Sequence, residues 1–235
     1  MKTEFRRDRA GISVCTLGST ALLLFAALAF TFNAQAGGPV PGHSKAFGAS
    51  LAQWQEVYWA WTYGGMDLPT DQNGNTVSDH VVLMPIPETP GDGTPGSIDV
   101  TLSPGQPFML PLWIWLGASY DDGTPDDPPV DLSVFETLDI TVKIDGATVI
   151  DCDNVMDYYS EFDFDPAVPL PPEWSPYMDI VWFQGIGMAH PPLSAGRGGH
   201  HTINLDVKNI FPVIDAFGDE YFSEYHNTWN VTVEK

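Results

Sequence analysis

The chain has 235 residues, 31 acidic against 9 basic, for a formal charge of −22. A surface of that sign repels nucleic acid and anionic membranes, so neither is an expected partner. It suits cations, neutral polymers such as glycans, or solubility in salt, which screens self-repulsion.

Residues 1–36 read as an export signal. Lys2, Arg6, Arg7 and Arg9 make a positive start, Ala21–Phe30 is a short apolar run, and Asn33-Ala-Gln-Ala36 is a small-residue cleavage site. The expected location is secreted or periplasmic, with no membrane attachment after cleavage. The mature chain, residues 37–235, has the length of a single domain. Cleavage removes two acidic and four basic residues, which leaves 29 against 5 and a charge of −24. Cys152 is then the one cysteine left, which excludes an intrachain disulfide. Asp151 and Asp153 flank it and disfavour the thiolate, so a buried, structural thiol is expected.

In chain order, the first element is a helix over Ser50–Gly65. Ser50 and Gln53 have capping-box spacing, and Gly64-Gly65 supplies a stop. Leu51, Trp54, Tyr58 and Trp61 fall on one apolar stripe. Strands are expected over His80–Pro87, Ser97–Leu102, Pro107–Leu116, Leu138–Ile144, Ala147–Ile150, Glu161–Asp165, Asp179–Met188, His201–Val207 and Asn227–Glu234. The Phe108–Leu116 run is apolar on both faces, which predicts a central or helix-covered strand. Asp145-Gly146 is a hairpin turn, Tyr120–Asp131 is a long Pro/Asp-rich loop, and Phe211–Phe222 has room for a short helix. Short strands punctuated by Pro and Gly predict a mainly β fold. We expect a two-sheet antiparallel sandwich, Ig-like or jelly-roll, with the amphipathic helix packed on it.

Three acidic groups stand out: Asp121, Asp122, Asp126, Asp127 and Asp131; then Asp151, Asp153 and Asp157; then Glu161, Asp163 and Asp165, alternating with Phe162 and Phe164. Hard cations take six to eight oxygen ligands, so the first two groups are candidate Ca²⁺ ligands. The bland reading is a solvated face on a chain acidic throughout. Asp71–Asp79 has oxygen side chains at alternate positions but lacks the glycine and closing carboxylate of a calcium loop, and it reads as a polar turn. The histidines show no metal-site spacing. His190, His201 and His226 are candidate ligand-binding residues if the fold gathers them, and a structural role at a strand entrance is the bland account of His201. There is no Gly-x-Ser-x-Gly elbow. Trp174, in the Pro-rich segment 169–176, is the tryptophan expected to be exposed for stacking.

Two segments carry a resemblance. Gly48-Ala-Ser-Leu-Ala-Gln-Trp54, with Trp59 and Trp61 behind it, resembles the Gly-x-Ser-x-x-Glu-Trp start of a group of secreted bacterial β-sandwich proteins. Pro192-Leu-Ser-Ala-Gly196 leading to His201-Thr-Ile203 is similar to that group's Pro-Leu-x-x-Gly-x-His-x-Ile strand entrance. Gln53 replaces the Glu, and two extra residues precede His201. The resemblance implies the fold and no catalytic residue. The expected function is a secreted, non-catalytic binding or structural module, Ca²⁺-stabilised in one version. The alternative is an extracellular enzyme acting on glycans or another polymer through an Asp/Glu pair or a His-bound metal.

Overall fold

Alternation of apolar and polar residues sorts this chain into two sheets that share one core. The computed structural model describes residues 37–170, 178–214 and 218–234. The expected export signal, residues 1–36, and Trp174 lie outside the described residues.

A short hairpin, β1 (Lys45–Ala46) and β2 (Ala49–Ser50), leads into α1 (Leu51–Thr62). The Ser50 hydroxyl accepts from Gln53 N–H at 3.2 Å, and the Gln53 side chain accepts from Ser50 N–H at 2.9 Å. This reciprocal pair fixes the helix start, a contribution of about 1 kcal/mol. Leu51, Trp54 and Tyr58 of the expected stripe are buried. Trp61 is only half-buried, while Gln55 and Trp59 are buried instead. The reason is that α1 touches β6, β9 and β10, so more than one stripe is covered.

The remaining strands are β3 (Val77–Ser78), β4 (Val81–Leu83), β5 (Asp92–Leu102), β6 (Phe108–Tyr120), β7 (Asp139–Ile144), β8 (Ala147–Ile150), β9 (Tyr159–Pro169), β10 (Met178–His190), β11 (His200–Lys208), β12 (Val213–Ile214), β13 (Glu220–Tyr221) and β14 (Glu224–Val233). One sheet has the order β3-β4-β6-β10-β9 and the other β5-β14-β11-β7-β8. The fold is a β-sandwich with a helix near its N-terminus. Every expected strand is present. Pairing is antiparallel except for β4 with β6 and β5 with β14, which run parallel. In each of these pairs the sequence partner crosses over before joining its neighbour, which a hairpin cannot do. β6 is central in its sheet and faces α1, as its two-sided apolar run predicts.

Within β9, Glu161, Asp163 and Asp165 are exposed, while Phe164 is buried and Phe162 stacks on Phe183 at 4.7 Å. The β7–β8 turn places Asp145 at φ 52° and Gly146 at φ 80°, the left-handed pair that a two-residue hairpin needs. Two expectations are overturned. Phe211–Phe222 is not helical where described: β12 pairs with β13, and Asn209 closes this ribbon. The Asn209 amide donates to the Phe211 and Tyr221 carbonyls, both at 2.9 Å, and its oxygen accepts from the Ser223 backbone and hydroxyl. Those bonds satisfy the backbone that a helix would have claimed. Cys152 is exposed rather than buried, because it rides a turn held by Asn154 Oδ1 accepting from Asp151 N–H.

The long loop 121–132 is fastened to β10. Trp182 Nε1 donates to the Asp127 carbonyl at 2.8 Å, Asp127 Oδ2 accepts from Ala118 N–H, and Gln184 Oε1 accepts from Val130 N–H. Room for the Trp182 ring comes from Gly117, where a Cβ would lie 1.8 Å from the indole. Gly117→Ala therefore forces the ring out of place, and overpacking of this kind costs about 1–3 kcal/mol. Thermal denaturation of this variant should show a midpoint lower by several degrees. An unchanged midpoint would contradict the ring's placement.

Candidate functional site

The sequence-predicted acidic residues are occupied locally. Asp122 accepts from Thr124 N–H, Asp131 from Ser133 N–H and Asp151 from Asp153 N–H. The bond from Thr124 holds the Asp122 carboxyl below its ordinary range, and that from Ser133 does the same for Asp131. Asp127 is part of the loop fastening just described, and the Asp157 backbone carbonyl accepts from Gly42 N–H. Asp121 and Asp153 lie on exposed turns, and Asp126 is exposed in the loop after β6. Among the described residues, no three His, Cys, Asp or Glu side chains are gathered closely enough to hold a metal ion.

The Asp71 segment is a polar turn. Burial pulls the Asp71 carboxyl upward, but bonds from Gln106, Asn75 and Asn73 outweigh it and hold the group below its ordinary value.

The histidines do not assemble either. His201, with 6% of its side chain exposed, sits between Asp145 Oδ2 and the Ser194 carbonyl, each 2.7 Å from a ring nitrogen. The strand-entrance motif thus ties the β7–β8 turn to the chain before β11, a structural task. His226 lies on the exposed side of β14 with Asp206 and Glu224. Its pKa is raised, first by the bond to Asp206. Register pairs His201 with Val231 and Asp206 with His226, five steps apart, which is roughly 17 Å along the strand.

His190 ends β10, stacked on Phe108 at 5.0 Å, with Nδ1 donating to the Pro191 carbonyl at 2.6 Å. Burial pushes its pKa down to about 4, with a smaller push from nearby His201. Its ring is neutral at pH 7. An unfolded histidine takes up its proton near pH 6.5, so between pH 6.5 and about 4 the unfolded chain binds more protons, and stability falls as pH falls through that window. The loss at the bottom is at most roughly 3 kcal/mol. In His190→Phe this part of the acid slope should vanish from a pH series of denaturant midpoints. A variant slope equal to the wild type would contradict a buried neutral ring.

A well-formed concavity lies elsewhere. A cleft of about 770 Å³ opens among the end of α1, the loop 86–91, β6, the β12–β13 ribbon and β14. Small-ligand sites fall in the range of about 300–1,000 Å³. Its wall is aromatic: Trp59 and Tyr63 from α1, Trp113 and Trp115 from β6, and Tyr221, Phe222, Tyr225 and Trp229 beyond them. Phe222 is 62% exposed and Tyr221 47% at the mouth. Burial raises the phenols of Tyr63 and Tyr225, so both remain neutral donors or acceptors.

Polar groups in this wall divide into two sets. Trp113 Nε1 donates to Ser223 Oγ at 3.0 Å, Trp229 Nε1 to the Pro85 carbonyl at 2.6 Å, and Thr62 Oγ1 to the Tyr58 carbonyl at 2.9 Å. Trp59 Nε1, Thr89 Oγ1 and Asn227 Oδ1 are buried without a partner. An unpaired buried polar group costs roughly 1–3 kcal/mol. Three of them bordering one cleft mark it as the candidate site.

Sequence reasoning missed this site, since it is assembled from segments far apart in the chain. One signal was present. Asn227 shares the inward phase of β14 with Trp229, Val231 and Val233, and a polar residue on an otherwise apolar face is a position that packing does not explain.

Fold and cleft define a β-sandwich with an aromatic, sparsely polar groove. Compared with known proteins, the chain matches no family model, no curated protein and no solved structure.

Proposed function

We propose that this is an exported, acidic β-sandwich that binds a ligand in the aromatic cleft without transforming it. The carrying observation is the cleft itself, lined by aromatic rings and by three residues that each bury an unpartnered polar atom. Export rests on the three-part signal at residues 1–36. No helix among the described residues is long and apolar enough to cross a membrane. The non-catalytic reading rests on where the reactive side chains are spent. His201 and Asp127 are taken up in structural bonds, His190 lies buried against Phe108, and His226 is on an exposed strand face. Nucleophile, base and metal ligands do not converge on the cleft, where Glu88 is the one charged side chain among the described lining residues.

A thermal-shift screen of small extracellular compounds and soluble polysaccharides against residues 37–235 tests the reading. At least one compound should raise the melting midpoint, and Trp115→Ala, half-buried in the cleft wall, should abolish that rise. A rise that persists undiminished in Trp115→Ala would put the binding elsewhere.

A calcium ion at the 121–131 loop would add a stabiliser to this reading. It is tested apart from the cleft by melting with and without EDTA: a lowered midpoint supports such an ion, and an unchanged one removes it.

A further inference from the structure

Buried tryptophans in this fold follow a rule, and one breaks it. Among the described residues, Trp54, Trp59, Trp113, Trp182 and Trp229 are buried. Trp54 donates to the Ala46 carbonyl, Trp113 to Ser223, Trp182 to the Asp127 carbonyl and Trp229 to the Pro85 carbonyl. Trp59 Nε1 alone has no acceptor, and Trp59 lines the cleft. Thr89 and Asn227 sit together on the cleft's other side. Gly96 on β5 makes room for them: a Cβ there would lie 2.5 Å from Thr89 Cγ2 and 2.8 Å from Asn227 Oδ1.

We infer that the cleft takes a neutral sugar ring of a glycan, its C–H face packed on the aromatic wall and its hydroxyls paired with Trp59 Nε1, Thr89 Oγ1 and Asn227 Oδ1. This rests on the binding reading above and names its ligand class. Two arguments carry it. The first is charge: no Lys, Arg or His is among the described lining residues, so a carboxylate, sulfate or phosphate would enter without a counter-ion, beside Glu88 and into a strongly negative field. The second is hydrogen-bond type. The wall offers a donor at Trp59, an acceptor at Asn227 and a hydroxyl at Thr89. A sugar hydroxyl both donates and accepts, whereas a hydrocarbon or a quaternary ammonium does neither. Each of the three atoms is buried in a residue that lines the cleft, so pairing requires these side chains to turn toward it as the ring seats.

Calorimetric titration of residues 37–235 with neutral hexasaccharides (β-1,4-glucan, β-1,3-glucan, β-1,4-mannan and β-1,4-xylan) tests the inference, with hexagalacturonate as the anionic probe and choline as the cationic one. At least one neutral hexasaccharide should bind ten or more times tighter than hexagalacturonate. Trp59→Phe and Thr89→Val should each weaken it about tenfold, the loss of one hydrogen bond, while Trp61→Phe on the same helix leaves it unchanged. Thr89 lies on a loop, so its variant reports even if the helix variant folds poorly. Preference for hexagalacturonate or choline, or wild-type affinity in both Trp59→Phe and Thr89→Val, would overturn it. Should the sugars fail while another compound from the thermal-shift screen binds at Trp115, the sugar inference falls and the binding reading stands. Silence from every compound removes both.

Discussion

The structure depends on burying large rings without stranding their polar tips. Trp and Tyr bring more apolar area into a core than any aliphatic side chain, but each carries an N–H or O–H that must find an acceptor. Here the acceptors are mostly backbone carbonyls at loop ends. Trp54 reaches Ala46, Tyr58 reaches Met84, Trp182 reaches Asp127 and Trp229 reaches Pro85. Each bond pins a connection to the sandwich as well as satisfying a ring. The helix is held to β1 and to the residue after β4, the loop after β6 to β10, and the loop before β5 to β14. The positions of the cleft walls follow from those same bonds.

Much of the sandwich was legible because period-two alternation and capping chemistry act locally. Leu138, Ile140, Val142 and Ile144 are buried, as their spacing requires, and Ser50 and Gln53 make the expected reciprocal cap. Asp145-Gly146 turns the chain because an aspartate tolerates the left-handed region and a glycine prefers it. Properties decided by distant partners were not legible. The parallel union of β14 with β5 joins segments more than a hundred residues apart. The β12–β13 ribbon depends on four bonds to Asn209, whose sequence context gives no sign of them. Cys152 faces outward because a neighbouring asparagine shapes the turn beneath it.

The candidate site shows the same limit more sharply. Acid clusters and histidines are conspicuous in a sequence, yet in this fold they serve turns, loop fastenings and a strand entrance. The residues that meet at the cleft are a tryptophan, a threonine and an asparagine in unremarkable surroundings, brought together by α1, the loop before β5 and β14. What distinguishes them is a deficit, a missing hydrogen bond, which only the assembled structure reveals. High negative charge then acts at long range, disfavouring anionic ligands at a site whose own wall is nearly uncharged.

Among the described residues, Trp59 differs from the other buried tryptophans in leaving its N–H unpaired. The direct measurement is a comparison of denaturant midpoints for Trp59→Phe and Trp229→Phe without ligand. Both changes remove an N–H and trim an indole to a smaller ring, but the second also leaves the part-buried Pro85 carbonyl without its donor. Trp229→Phe should be the more destabilised of the two by roughly 1–3 kcal/mol. Equal losses, or a larger loss at Trp59, would contradict it.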